Sequence, residues 1–340
     1  MKFSFEQGRP FIIAEISANH AGNLDVCLEL IRTAKKAGAD AVKFQSYSAD
    51  TITLNSTEKD FLIPDNSPWK EFRTLYELYD EAKTPREWFP TLFEEARKIN
   101  IFPLSSVFSD LEVELLENLG APCYKVASPE INNINLIKRI ALTKKPIILS
   151  LGVASKLDLM NAITLFRKYS NNEIVVMQCE TSYPAKLENC NLNLLNELNG
   201  WKDLVLGYSD HTQSNVSAIV AASKGATVFE KHLKVSHSEE SVDSFFSANE
   251  NEFASYIKDL HSAFKTFGKS QFRNESELYI THVSIYPTKN INEGEVFTEE
   301  NLRIIRPGYG LHPKYWDRII GTTAKKNYKI GARIRIEDMP

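Results

Sequence analysis

The chain has 340 residues, 43% of them hydrophobic and 25% charged, with a formal net charge of −4. This balance suits a folded domain or two with a sizeable core and lacks the basic surplus of a nucleic-acid binder. No apolar stretch approaches a membrane span, and the start, MKFSFEQGRPFIIAEI, is too short and polar for a signal peptide. Cys27, Cys123, Cys179 and Cys190 lack CxxC spacing and read as buried reduced thiols. The expectation is a cytoplasmic protein with neither a membrane nor a nucleic-acid partner.

Short apolar runs alternate with amphipathic stretches along the chain. FIIAEI (11–16) precedes LDVCLELIRTAKKAG (24–38), whose apolar positions recur at helical spacing. AVKFQS (41–46) follows, then a polar, irregular stretch of about 35 residues. REWFPTLFEEARKI reads as a helix before the strand IFPLSS (101–106), and DLEVELLENLG as a helix before CYKVAS (123–128). NINLIKRIALT leads to PIILSL (146–151), and KLDLMNAITLFRKYS to EIVVMQC (173–179). LNLLNELNG precedes LVLGYS (204–209), SNVSAIVAASKG precedes TVFEKHL (227–233), and FASYIKDLHSAFKTFG closes the series.

Eight strand–helix units with continuously apolar strands predict an α/β fold, a (β/α)8 TIM barrel over residues 1–268. A doubly wound open sheet is the alternative, weakened because no GxGxxG follows the first strand. Residues 269–281 read as a polar linker. Residues 282–340 read as a small domain of short strands with tight turns at INEGE and KIGAR, too small to hold a large core alone.

Barrel chemistry sits at the C-terminal ends of the strands. Those ends carry Glu15, Lys43 and Gln45, Ser105 and Ser106, then Lys125, Ser128 and Glu130. They continue with Ser150, then Thr181, Ser182 and Tyr183, then Ser209, Asp210 and His211, then Glu230 and His232. Ionisable groups in apolar strands are costly unless paired or bound to something. Lysines among serine hydroxyls suit a phosphate or carboxylate ligand. Two histidines on adjacent strands suit one labile divalent metal, Mn2+ or Mg2+, with water and a carboxylate available to complete its shell. Asp210 is expected to orient a histidine. A Schiff-base aldolase using Lys43 or Lys125, and a non-catalytic sugar- or ice-binding protein, are the competing classes.

FIIAEISANHAG, AGADAVKFQSY, YKVASPEINN, LGYSDHT and FEKHL, in this order, resemble the sialic acid synthase family, and NINEGEVFTEENLRIIRPGYG resembles its C-terminal antifreeze-like (SAF) domain, a β-clip fold. QSYSADTITLNS, TLYELYDEAKTPREWF and RPGYGLHPKYW are similar to the pseudaminic acid synthase branch more than to the N-acetylneuraminate branch. The resemblance implies a transferase of cell-surface glycan synthesis, as in flagellin glycosylation, that joins phosphoenolpyruvate to an amino sugar. In that branch the sugar is 2,4-diacetamido-2,4,6-trideoxy-altrose; in the alternative it is N-acetylmannosamine. It implies His211 and His232 as metal ligands, and Lys43, Ser106, Lys125, Ser128, Ser150, Thr181, Tyr183 and Ser209 as phosphoenolpyruvate ligands. Glu15 and Glu130 would move protons, with Glu130 also at the sugar. Asp243 would contact the sugar, and Arg306 would reach the barrel of a second copy in a domain-exchanged homodimer. Val107, Pro129, Leu151 and Glu180 depart from the family pattern; Glu180 would repel a phosphate unless its carboxylate points away.

Overall fold

The computed structural model describes residues 5, 8–238, 240–272 and 279–339. Eight parallel strands close into a barrel in sequence order: β1 Phe11–Glu15, β2 Ala41–Ser46, β3 Phe102–Val107 and β4 Tyr124–Val126, then β5 Ile147–Ser150, β6 Ile174–Cys179, β7 Leu204–Asp210 and β8 Val228–His232. Closure is made by β8 against β1, from Phe11 opposite Val228 to Glu15 opposite His232.

The helices follow in chain order: α1 Leu24–Ala37, α2 Ala49–Ile52, α3 Leu75–Ala82, α4 Phe89–Lys98 and α5 Asp110–Asn118, then α6 Ile134–Leu142, α7 Lys156–Tyr169, α8 Leu194–Leu198, α9 Val216–Ser223 and α10 Glu250–Thr266. Their ends are marked in the sequence. Asn23 caps α1 by accepting from the backbone N–H of Asp25, and Gly38 closes it at φ 101°, a conformation costly for any residue with a Cβ. The stretch expected to be irregular contains α2 and α3. The sequence signal for α3 is the Thr74–Glu77 capping box, in which Thr74 Oγ1 accepts from Glu77 N at 3.2 Å.

Strand side chains alternate with period two, so the barrel interior is layered. Ile13, Ala41, Leu104, Cys123, Ile148, Met177 and Val228 belong to one buried apolar cluster. Two residues further along each strand come Glu15, Lys43, Ser106, Lys125, Ser150, Cys179 and Glu230, joined by Ser209 from β7, two beyond Gly207. Gly207 fits because a Cβ there would meet the Val228 carbonyl at 2.8 Å. Two more residues along come Ser17, Gln45, Thr181, His211 and His232. An apolar plug thus carries a charged layer, which carries the layer holding the histidines.

The chain divides into two compact units, Met1–Gly268 and Lys269–Pro340. The second pairs β9 Ser284–Pro287 antiparallel with β10 Leu302–Ile305. INEGE and KIGAR turn through Gly294 and Gly331 at φ 81° and 75°. This unit has its own small cluster of buried apolar residues, including Ile285, Phe297, Leu302, Leu311 and Ile319. Part of the expected linker, 273–278, lies outside the described residues.

Candidate active site

The charged layer is a buried ion-pair network whose upper side faces the cavity. Lys43 Nζ lies 2.8 Å from Glu15 Oε2 and 3.3 Å from Glu230 Oε1, and donates to Ser106 Oγ at 3.0 Å. Lys125 Nζ lies 2.8 Å from Glu230 Oε2. Ser209 donates to Glu230 Oε1 at 3.1 Å, and Gln45 donates to Glu15 Oε1 at 2.9 Å. Two cations and two carboxylates balance, the condition under which buried charges are tolerated.

Burial opposes charge on all four groups, and the partners decide the outcome. Lys43 is pulled down by burial, but Glu15 and Glu230 outweigh it and raise its pKa. At Lys125 burial outweighs the attraction of Glu230, and Lys43 repels it, so its pKa falls. Burial pushes Glu230 up, yet the two lysines hold it well below the usual carboxylate range. Burial wins at Glu15, whose pKa is raised.

Above this floor a cavity of about 520 Å3 opens at the C-terminal ends of the strands. Lys43, Ser106, Lys125, Ser128, Glu130, Ser150, Thr181, Tyr183, Ser209, His211, His232 and Asp243 all line it. Glu15 does not; it lies fully buried, holding Lys43 and Gln45. Arg306 lies in the second unit, exposed, just after β10. Sequence reasoning missed the lining residues Ser17, Tyr47, Trp69, Tyr79 and Phe246 and gave Gln45 and Glu230 no role. Ser17 and Gln45 carry a usable signal, sitting two residues beyond Glu15 and Lys43.

The histidines sit with ring centroids 5.5 Å apart. His211 is wedged against Tyr183 (4.5 Å) and His232 against Phe246 (4.7 Å). Burial first, and for His232 also the neighbouring His211, lowers both pKa values, so both rings are neutral at pH 7. His211 Nδ1–H donates to the Glu180 carbonyl at 2.6 Å, which leaves Nε2 with a lone pair. His232 Nδ1 is buried without a hydrogen-bond partner. His211 Nε2 has only a long contact, 3.4 Å, to Ser209 Oγ, whose proton is directed to Glu230, and two neutral imidazoles so placed fit a divalent metal. The nearby Glu230 carboxylate is engaged by lysines, and among the described residues no group of three His, Cys, Asp or Glu side chains converges on a metal position. A divalent metal held here would take these two nitrogens from the protein and the rest of its shell from water or substrate.

The expectation for Asp210 is corrected. Its carboxylate accepts from Thr212 N at 2.9 Å and lies 3.3 Å from Lys231 Nζ, so it shapes the turn after β7; the histidine is oriented by the Glu180 carbonyl instead. The Glu180 carboxylate accepts from Ser182 N and Oγ and does not line the cavity. Glu130 Oε2 is buried and unpartnered, and burial pushes its pKa up to about 7. Asp243 accepts from Ser17 Oγ, and burial raises its pKa. Outside the site, His20 is a packing residue: its Nδ1 accepts from Gly22 N at 3.1 Å and its Nε2 lies 3.2 Å from Thr84 Oγ1.

The NeuB family model matches residues 30–272 and the SAF domain model residues 282–339. The chain is 39% identical to the pseudaminic acid synthase of Campylobacter jejuni over 96% of both chains. It is 39% identical to that of Helicobacter pylori over 97% of this chain and 98% of that one. Among solved structures, the N-acetylneuraminic acid synthetase of Leptospira borgpetersenii in complex with citrate superposes at a TM-score of 0.69 and 28% identity, covering 79% of this chain and 88% of that one. With its closed eight-stranded barrel and following SAF domain, this chain belongs to the NeuB family.

Proposed function

We propose that this protein is a pseudaminic acid synthase, condensing phosphoenolpyruvate with 2,4-diacetamido-2,4,6-trideoxy-altrose to give pseudaminic acid and phosphate. The observation that carries the reading is the convergence of Lys43, Lys125, the serine hydroxyls and two neutral histidines on one cavity. The similarity to pseudaminic acid synthases over nearly the whole chain supports the choice of sugar.

Lys43 and Lys125 supply fixed positive charge for the phosphate and carboxylate, and Ser106, Ser128, Ser150, Thr181, Tyr183 and Ser209 supply neutral donors around them. Carbon 3 of the enol attacks the sugar aldehyde, forming the C–C bond. Water adds at carbon 2, and phosphate leaves by C–O cleavage as the ketone forms. Of the two protons that the attacking water loses, one goes to the sugar oxygen and the other leaves with the phosphate. Glu130, poised near neutral pH at the cavity wall, holds and returns such a proton. Glu15 acts from beneath by holding Lys43 and Gln45, and Asp243, backed by Ser17, contacts the sugar. His211 and His232 would hold Mn2+ or Mg2+, which when bound polarises the aldehyde and stabilises charge on its oxygen. The working form is a cytoplasmic, domain-exchanged homodimer in which Arg306 reaches the sugar in the other copy's barrel.

Phosphoenolpyruvate labelled with 18O in its bridging oxygen tests the reaction type. Release of phosphate carrying the label supports C–O cleavage. Unlabelled phosphate, or covalent trapping of pyruvate on Lys43 or Lys125 by borohydride, overturns it in favour of other chemistry.

A further inference from the structure

The cavity has two chemically different ends. Lysines, hydroxyls and histidines make its floor. On the side of β2 and β3 its wall is made by Tyr47, Ile52, Leu78, Tyr79, Ala82 and Phe108, none of which carries a charge. Five of the six come from the excursion between β2 and α4; Phe108 follows β3. The rings interlock edge to face, with centroids of Tyr47 5.9 Å from Tyr79 and 5.2 Å from Phe108. Leu78 and Ala82, four residues apart, share one face of α3, and Ile52 ends α2, which packs on α3.

This wall has a chemical preference. Ile52, Leu78 and Ala82 offer neither donor nor acceptor. A hydroxyl lodged against these three side chains, out of reach of the Tyr47 and Tyr79 hydroxyls, would lose its bonds to water without replacement, whereas a methyl would gain from burial. The reacting carbonyl has to sit over the floor, beside the lysines and histidines, so the wall meets the other end of the sugar chain. We infer that Ile52, Leu78 and Ala82 form a specificity lobe selecting an amino sugar whose terminal carbon is a methyl rather than a hydroxymethyl group. The inference rests on the synthase reading above and adds to it the residues that read the far end of the substrate.

The test compares kcat/KM for the 2,4-diacetamido-2,4,6-trideoxy sugar with that for its counterpart differing only by a 6-hydroxyl. The wild-type protein is expected to prefer the methyl sugar by about 10–100-fold, the range that an apolar pocket supplies. Ile52→Thr and Leu78→Asn place polar groups in the lobe. They are expected to narrow that preference by roughly fivefold or more, through the sugar's KM and with the KM for phosphoenolpyruvate unchanged. Ile52→Val keeps the lobe apolar and keeps the preference. Ala82→Ser, the smallest change, serves if Leu78→Asn does not fold. Equal turnover of both sugars by the wild-type protein overturns the inference, as does an unchanged preference in folded polar variants. Phosphate release with neither sugar overturns instead the synthase reading on which it rests.

Discussion

The floor and the wall of the cavity are built by different means. Floor residues stand on barrel strands, where the closed sheet fixes each position and alternation carries every second side chain inward. Wall residues other than Phe108 stand on a 39-residue excursion, 47–85, whose α-helices are short and which is held to the barrel by side-chain contacts. Trp69 is one: its Nε1–H donates to the Val242 carbonyl at 2.7 Å and its ring lies 5.7 Å from Tyr183. The comparison teaches that general chemistry is placed on the rigid scaffold and substrate choice on the adaptable segment. Floor changes should therefore damage all turnover, and wall changes should alter only which sugar is taken.

The largest effect is expected at Glu230. Glu230→Ala leaves Lys125 without a carboxylate and Lys43 with Glu15 alone, costing about 3–5 kcal/mol in a denaturant melt and abolishing phosphate release with every sugar. Wild-type-like activity in this variant would break the comparison.

Next comes His211→Ala, expected to lose divalent-metal binding by titration calorimetry and activity with it. Chelator treatment of the wild-type protein should reduce phosphate release, and added Mn2+ should restore it. Retained activity in chelated, metal-free protein would remove the histidines from the metal role.

Glu130 lies between floor and wall. Its pKa in the fold, about 7, exceeds its ordinary 4.5. The folded state therefore binds more protons than the unfolded state between those values, and stability falls as pH rises through that window. Glu130→Gln is expected to be the more stable protein above pH 7, by roughly 1–3 kcal/mol at about 1.4 kcal/mol per pKa unit. It should also be slower by about 10²–10⁴-fold and lack the pH–rate limb near 7. A limb that survives the substitution assigns it to another group. The smallest effect is Trp69→Phe: loss of one hydrogen bond, about 1 kcal/mol, read as a several-fold rise in the sugar's KM with the phosphoenolpyruvate KM intact.

The floor was legible in the sequence for the same reason that it is rigid. Polar residues follow apolar runs, so LVLGYSD, once assigned as a strand, places Ser209, and the same alternation carried one residue past its end places His211. The ion-pair partners were harder. Glu230 was visible as a strand-end carboxylate, but its simultaneous engagement of Lys43 and Lys125 requires strands distant in sequence to close into a ring. Asp210 was misjudged because sequence adjacency to His211 says nothing about direction: on a strand the two side chains point to opposite faces. Trp69, Tyr47 and Tyr79 were missed because residues 47–85 have no sustained period, and the capping box at Thr74 marks α3 without saying what it faces.

The central claim concerns the sugar, and one paired assay tests it most directly: phosphate release from phosphoenolpyruvate in the presence of Mn2+, with 2,4-diacetamido-2,4,6-trideoxy-altrose or with N-acetylmannosamine. Release with the diacetamido sugar, at a kcat/KM well above that for N-acetylmannosamine, is the predicted result; turnover of N-acetylmannosamine alone would contradict it.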